Sequence, residues 1–205
     1  MYLYPKWLRL WHLLNAVLIL ILILTGVSMQ YAGKESLFFL VNFASAVRWH
    51  NLAAILLTGS YIGFVAGNII TGNGKYYRLE SNNMWKDLGK QLAYYTLGMF
   101  RGEKRPFPVT IERKFNPLQK VSYIIIMYLV LPLLIISGFG LLFPETTVNR
   151  VFGINGLILT DILHITMGFL VSVFLVIHIY TCTLGPRPTS LFRGIITGYH
   201  DSEEE

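Results

Sequence analysis

Charged residues are scarce in this chain of 205 residues: they make up 14% of the sequence, whereas hydrophobic residues make up 54%. A soluble domain usually carries about 25% charged residues. Four long stretches contain no charged side chain at all, and they lie between Arg9 and Lys34, Arg48 and Lys75, Lys120 and Glu145, and Asp161 and Arg187. These absences argue against a soluble domain and favour lipid as the surroundings of the chain.

Cysteine is almost absent too, because Cys182 is the only one in the sequence. The chain therefore has no internal disulfide, and it has no Cys-x-x-Cys-His motif of the kind that attaches haem covalently. We interpret Cys182 as a small packing residue.

Each uncharged stretch is long enough for the roughly 20 apolar residues that a membrane-spanning helix needs. The sequence predicts four spans, near 8–30, 50–71, 121–143 and 160–183, in a single domain that covers residues 1–205. We therefore expect an all-α integral membrane protein with a bundle of four transmembrane helices.

Most of the basic residues lie at the N-terminus, in the loop 72–120 and in the C-terminal tail. Basic residues flank membrane spans mainly on the cytoplasmic side. We therefore expect both termini and this loop to be cytoplasmic. The same rule accounts for the basic loop without nucleic acid, so we expect no nucleic-acid partner.

Three segments outside the predicted spans have helical patterns. Residues 36–49 are apolar, which predicts either an outer interfacial helix or an extension of the second span. Residues 84–99 are amphipathic at helical spacing, with Leu92 on the apolar side and Gln91 on the polar side, which predicts a helix on the inner surface or against a partner subunit. The third span should follow Asn116 as N-cap, with Pro117 in the first turn and Gln119 completing a capping box.

Four of the five histidines lie within or at the ends of predicted spans. Ionisable residues in membrane helices are costly and indicate a functional role. Because consecutive spans alternate in direction, His12 should share the cytoplasmic depth of His178, and His50 the outer depth of His164. The sequence therefore predicts two histidine pairs, one towards each face of the membrane.

His164 and His178 lie on the same predicted span, within roughly 40° of one helical face and about 21 Å apart along the axis. One helix can thus offer an axial imidazole ligand to each of two stacked haems. A lone intramembrane histidine is more often a hydrogen-bonding residue between helices, but four that pair by depth favour bis-histidine ligation. Gly26 shares the face of His12 at the depth of the other pair, where a missing side chain leaves room for a haem.

The sequence also carries motifs that resemble those of a known family. These are Arg9-Leu10-Trp11-His12, Arg48-Trp49-His50, Tyr94-Tyr95-Thr96-Leu97-Gly98 and Lys114-Phe115-Asn116-Pro117-Leu118-Gln119-Lys120, together with His164 and His178. Over nearly its whole length the chain resembles the b-type cytochrome subunits of bacterial membrane-bound formate dehydrogenases, nickel–iron hydrogenases and thiosulfate reductases, which are similar to bacterial cytochrome b561.

The resemblance implies a four-helix bundle in the bacterial inner membrane with two non-covalent b haems. One haem would be ligated from the first and fourth helices, and the other from the second and fourth, which agrees with the pairing by depth. The family also binds menaquinone or ubiquinone beside the cytoplasmic haem. The resemblance places that contact at the Asn116 side chain and the Leu118 backbone.

The resemblance further implies an electron-transfer subunit that links the quinone pool to an extracytoplasmic redox partner. That partner would be an iron–sulfur or multihaem cytochrome subunit attached to a catalytic subunit, so the non-quinone substrate would react elsewhere. One alternative is a stand-alone di-haem superoxide:quinone oxidoreductase of the bacterial b561 type, against which the long loop 72–120 argues. A further alternative is a haem-free membrane transporter or assembly protein.

Four arginines near the predicted span ends are placed to pair with haem propionates, although each is also explained as a topology or headgroup charge. They are Arg9, Arg48, Arg78 and Arg187.

Overall fold

The computed structural model describes residues 1–31, 42–78, 83–185 and 187–200, and these are mainly helical. The helices of eight residues or more are α1 (Lys6–Gln30), α2 (Phe43–Ile70), α3 (Met84–Ala93), α4 (Pro117–Leu142), α5 (Gly156–Cys182) and α6 (Ser190–Thr197). A π turn at Ile126–Val130 interrupts α4. Strands β1 (Arg150–Val151) and β2 (Ile154–Asn155) form a short antiparallel hairpin between α4 and α5.

Helices α1, α2, α4 and α5 are long and apolar enough to cross a membrane, which confirms the prediction of four spans. The second helix begins at Phe43, earlier than predicted, because the Asn42 side chain accepts a hydrogen bond from the Ser45 N–H and caps it. Residues 43–49 are thus an extension of the second span, while the rest of the apolar segment, residues 36–41, lies outside the described residues.

The bundle is built from two antiparallel helix pairs, because α1 packs along α2 and α4 packs along α5. A small apolar core joins three of these helices through Leu18, Leu57 and Leu131. Most other apolar side chains point outwards, and Leu10 and Val176 are each 69% exposed. In water such a surface would be strongly unfavourable, but lipid tails are as apolar as leucine. The chain is therefore a multi-pass membrane protein.

The N-terminal residues and the last described residues, up to His200, meet at one end of the bundle, which we call the terminal end. The backbone N–H of His200 donates to the Met1 carbonyl at 2.8 Å, and the N–H of Leu3 donates to the Gly198 carbonyl at 2.9 Å. The guanidinium of Arg105 donates to the Leu184 carbonyl at 2.8 Å, which fixes the segment before α4 to the end of α5. The other end, with Asn42 and the β-hairpin, is called the opposite end.

Helix α4 starts as the sequence predicts. Pro117 is in its first turn, the Asn116 side chain accepts a hydrogen bond from the Gln119 N–H at 2.8 Å, and the Gln119 side chain accepts one from the Asn116 N–H at 3.2 Å. The capping box is therefore confirmed.

The amphipathic segment 84–99 forms α3 and a π-helical continuation at Tyr94–Gly98. The orientation of two residues differs from the prediction, which put Gln91 on the polar face and Leu92 on the apolar face. Gln91 is 3% exposed and Leu92 is 54% exposed. Gln91 is turned inwards because α3 packs against the start of α4, where its amide meets the polar groups around Asn116.

The contacts between the N-terminal residues and Gly198 lead to a first testable prediction. Gly198 has φ +89°, and an added Cβ would lie 2.6 Å from Tyr2 Cε2 and 2.9 Å from the Tyr4 carbonyl. Left-handed backbone costs a non-glycine residue about 1–2 kcal/mol, before the steric clash is counted. We expect Gly198→Ala to lower the thermal unfolding temperature of the detergent-solubilised protein by several degrees.

The matched control is Gly89→Ala on α3, where a Cβ meets nothing within 4 Å. Alanine is the better helix former there, so this variant should unfold at the same or a slightly higher temperature. Equal losses in both variants would contradict a specific role for Gly198.

Candidate functional site

The first histidine pair lies towards the terminal end. His12 on α1 and His178 on α5 face each other with ring centres 6.2 Å apart and planes inclined by 51°. Aromatic side chains hold the His178 ring, since Phe174 stacks on it at 5.5 Å and Tyr123 meets it edge-on at 5.9 Å. The thiol of Cys182, one turn further on, is 3.9 Å from His178 Nε2, which is a weak contact.

The second pair lies towards the opposite end. The rings of His50 on α2 and His164 on α5 have centres 6.2 Å apart, with planes inclined by 68°. Each ring is also held from a neighbouring helix by a hydroxyl group. The Thr25 Oγ1 atom is 3.0 Å from His50 Nδ1, and the Ser137 Oγ atom is 3.1 Å from His164 Nδ1.

The hydrogen bonds of these hydroxyl groups determine which nitrogen of each imidazole ring carries the proton. The Thr25 and Ser137 hydroxyls each donate their single proton, at 2.7 Å, to the carbonyl four residues earlier in their own helix. The hydroxyl oxygen is then the acceptor towards the histidine, so Nδ1 carries the proton. Nε2 of His50 and of His164 keeps its lone pair, which is the arrangement that metal-binding histidines show.

The geometry of both pairs fits a haem iron. Metal–imidazole bonds are about 2 Å long, so two rings that bind one ion from opposite sides stand about 6 Å apart, centre to centre. A bare metal ion usually requires three or four protein ligands, and no group of three metal-binding side chains converges within the described residues. Two imidazoles suffice for an iron that already has a macrocycle around it.

Two glycines lie beside the second pair. A Cβ on Gly26 would be 3.6 Å from His50 Cε1, and a Cβ on Gly138 would be 3.1 Å from His164 Cε1. Gly26 was predicted to leave room at this depth, and the structure places it against the His50 ring. Gly138, on α4, mirrors it on the other side of the pair.

Of the four arginines predicted to pair with propionates, Arg9 alone is partly buried. It donates to the Ile196 carbonyl of α6, and its Nε atom is buried without a hydrogen-bond partner among the described residues. Arg48, Arg78 and Arg187 are exposed to solvent in the isolated chain.

Asn116 and Leu118 lie at the terminal end, where α4 begins. Beyond its capping role, the Asn116 amide donates to the Tyr95 hydroxyl at 3.0 Å. Burial raises the pKa of Tyr95, which hydrogen bonds from Asn116 and Gln91 partly oppose. The carbonyl oxygen of the Gln91 side chain is buried without a partner among the described residues. A polar niche with spare hydrogen-bonding capacity therefore surrounds Asn116.

Sequence reasoning missed several of these contacts. Thr25 and Ser137 carry no motif, because a hydroxyl inside an apolar helix usually bonds only its own backbone. Gly138 gave no signal either. Tyr95 was quoted only as part of a motif, and Gln91 was assigned to the wrong side of α3.

Comparison with known proteins identifies the family. The profile of the prokaryotic cytochrome b561 family matches residues 3–198. The chain belongs to the prokaryotic cytochrome b561 family. Membership makes it a membrane cytochrome b that takes part in electron transport, and it implies that the protein binds b-type haem.

Two relatives in the family extend this result. Cytochrome YdhU of Escherichia coli (strain K12) is 35% identical over 199 residues, which cover 97% of this chain and 74% of the relative. A Ni/Fe-hydrogenase B-type cytochrome subunit of Rhizobium leguminosarum bv. viciae is 28% identical over 151 residues, which cover 68% of this chain and 59% of the relative. No solved structure gives a significant match to this cytochrome b561 homologue.

The contact at Gly138 supplies a prediction. At 3.1 Å from His164 Cε1, an added methyl group forces the ring to move by a few tenths of an ångström, and overpacking of this kind costs about 1–3 kcal/mol. We expect Gly138→Ala to lower the haem-to-protein ratio, measured by the pyridine haemochrome assay. The control is Gly63→Ala on α2, where the new Cβ meets nothing within 4 Å. Unchanged haem content in Gly138→Ala would contradict the assignment of His164 as a ligand.

Proposed function

We propose that this protein is a di-haem cytochrome b in which His12 and His178 bind one haem b, and His50 and His164 bind the other. The observation that carries the proposal is the pair of 6.2 Å ring separations, one at each depth of the bundle. The hydroxyl contacts at His50 and His164 support it, because they leave Nε2 free to bind iron.

When bound, the haems would supply one-electron transfer at two depths of the membrane. The residues of this chain position them and exclude water. Thr25 and Ser137 orient the imidazoles of the second pair, while Phe174 and Tyr123 hold His178 in the first. Arg9 is the strongest candidate for pairing with a propionate, because its Nε atom is buried and has no partner among the described residues. Arg48, Arg78 and Arg187 are weaker candidates, because each is exposed to solvent.

We further propose a quinone site at the terminal end, beside the first haem, with Asn116 and the Leu118 backbone as contacts. The buried Gln91 carbonyl and the Tyr95 hydroxyl support this position, since a quinone or quinol can accept and donate hydrogen bonds there. Menaquinone and ubiquinone both have this chemistry. Quinone reduction at this end takes up protons, and quinol oxidation releases them.

The relative described as a hydrogenase cytochrome subunit favours a role within a complex. We infer that the protein carries electrons between the quinone pool and an extracytoplasmic iron–sulfur or multihaem subunit, to which a catalytic subunit is attached. The distribution of basic residues supports a bacterial inner-membrane protein with both termini in the cytoplasm.

The ligand pairing can be tested by combining histidine substitutions in the full-length, haem-loaded protein. If each pair holds one haem, His12→Ala/His178→Ala should lose about as much haem as either single variant, because both changes empty the same site. His12→Ala/His50→Ala should lose both haems. The reduced α-band and the pyridine haemochrome assay measure the content.

His200→Ala is the control, because His200 lies at the junction of the termini, outside both pairs. It should retain both haems. Retention of one haem in His12→Ala/His50→Ala would show that the pairing is wrong.

The quinone site has its own test in Tyr95→Phe, which removes the hydroxyl that Asn116 contacts and leaves the ring. We expect haem reduction by a soluble quinol to slow about tenfold, since one hydrogen bond and a proton-exchange group are lost. The haem spectrum should not change. Tyr94→Phe, next along the chain, is the control, and equal rates in the two variants would exclude Tyr95 from the site.

A further inference from the structure

A cavity of about 380 Å³ opens at the terminal end, beside the first turn of α4. It lies between the segment after α2, the first turn of α3 and the residues that precede α4. Neither Asn116 nor Leu118 lines it, so it is separate from the proposed quinone site.

The lining of this cavity has an excess of positive charge. Four basic side chains face it, against two acidic ones, Asp87 and Glu112. The basic residues are Lys75, Arg113, Lys114 and Lys120. A ligand with negative charge would therefore be attracted to it.

Two of the lysines place their ammonium groups over the same aromatic ring. The Nζ atoms of Lys114 and Lys75 lie 4.1 Å and 5.1 Å from the centre of the Tyr76 ring. Burial lowers the pKa of Lys114, and repulsion from Lys75 lowers it further. The hydrogen bond of Lys114 to the neutral Asn73 side chain, at 3.4 Å, uses one of its three donors. Lys114 therefore keeps two donors, and two positive charges lie close together at the cavity.

The rest of the lining is mainly apolar, and part of it belongs to a membrane-spanning helix. Pro117 and Val121 line it from the first turns of α4, and Phe115 lines it from just before that helix. The cavity is thus at the level where a span leaves the hydrocarbon and enters the headgroup region. Basic pockets beside transmembrane helices suit the headgroups of acidic lipids.

We propose that this cavity binds a phosphate-bearing anion, supplied by the headgroup of an anionic membrane phospholipid, with Lys75 and Lys114 as its principal contacts. The phosphate lies between the two ammonium groups and relieves their repulsion, while the glycerol and the first acyl carbons lie against Pro117 and Val121. This site does not depend on the haem or quinone assignments.

The test uses the full-length, haem-loaded protein and the double variant Lys75→Gln/Lys114→Gln. Native mass spectrometry from detergent containing phosphatidylglycerol or phosphatidylcholine counts the lipids retained. We expect wild type to retain phosphatidylglycerol in preference to phosphatidylcholine, and the double variant to lose this preference with about tenfold weaker retention. The haem spectrum checks that the variant is folded.

Arg101→Gln/Lys104→Gln is the matched control, because it removes two positive charges from a different cavity at the same end. It should retain phosphatidylglycerol as wild type does. An equal loss in both double variants would mean that overall charge, not this cavity, attracts the lipid, and would overturn the proposal. So would undiminished retention in Lys75→Gln/Lys114→Gln.

A second arm separates the two sources of phosphate. Thermal unfolding is followed with inorganic phosphate alone and with phosphatidylglycerol nanodiscs, each compared with its phosphate-free or phosphatidylcholine equivalent. Stabilisation by phosphatidylglycerol that requires both lysines supports the lipid site. Stabilisation by inorganic phosphate to the same extent, with no preference between the lipids, would make this a site for free phosphate and overturn the lipid assignment.

Discussion

Two pairs of imidazole rings face each other inside an apolar helix bundle, and the packing of the helices depends on these contacts. An ionisable side chain within a membrane helix is costly unless it has a partner. Helix α5 contributes one ring to each pair, and α1 and α2 contribute the other two. The alignment of α5 with both α1 and α2 therefore has to satisfy two contacts at once, one near each end of the bundle.

The two pairs are held in different ways. At the opposite end, hydroxyl groups from α1 and α4 fix the ring nitrogens of His50 and His164. At the terminal end, stacking and edge contacts from Phe174 and Tyr123 hold His178 instead. Hydrogen bonds to a ligand's outer nitrogen raise its basicity, whereas aromatic packing changes mainly solvent access. The two histidine pairs thus have different surroundings, which would give two haems different environments if each pair binds one as proposed.

The terminal end carries most of the structure outside the spans. Hydrogen bonds at this end join the N-terminal residues to the last described residues, fix the segment before α4 to the end of α5, and connect Asn116 to Tyr95. Among the described residues, the opposite end includes the short hairpin, whose turn places Phe152 and Gly153 at positive φ.

The four spans, the helix start at Asn116 and the shared depth of each histidine pair could be predicted from the amino-acid sequence. These follow from local rules, namely the length of apolar stretches, capping chemistry and the rise of a helix. The inward position of Gln91 and the contacts of Thr25, Ser137 and Tyr95 became visible only once the helices were packed together. Those depend on which neighbouring helix faces each side chain, and sequence spacing within one helix carries no information about that.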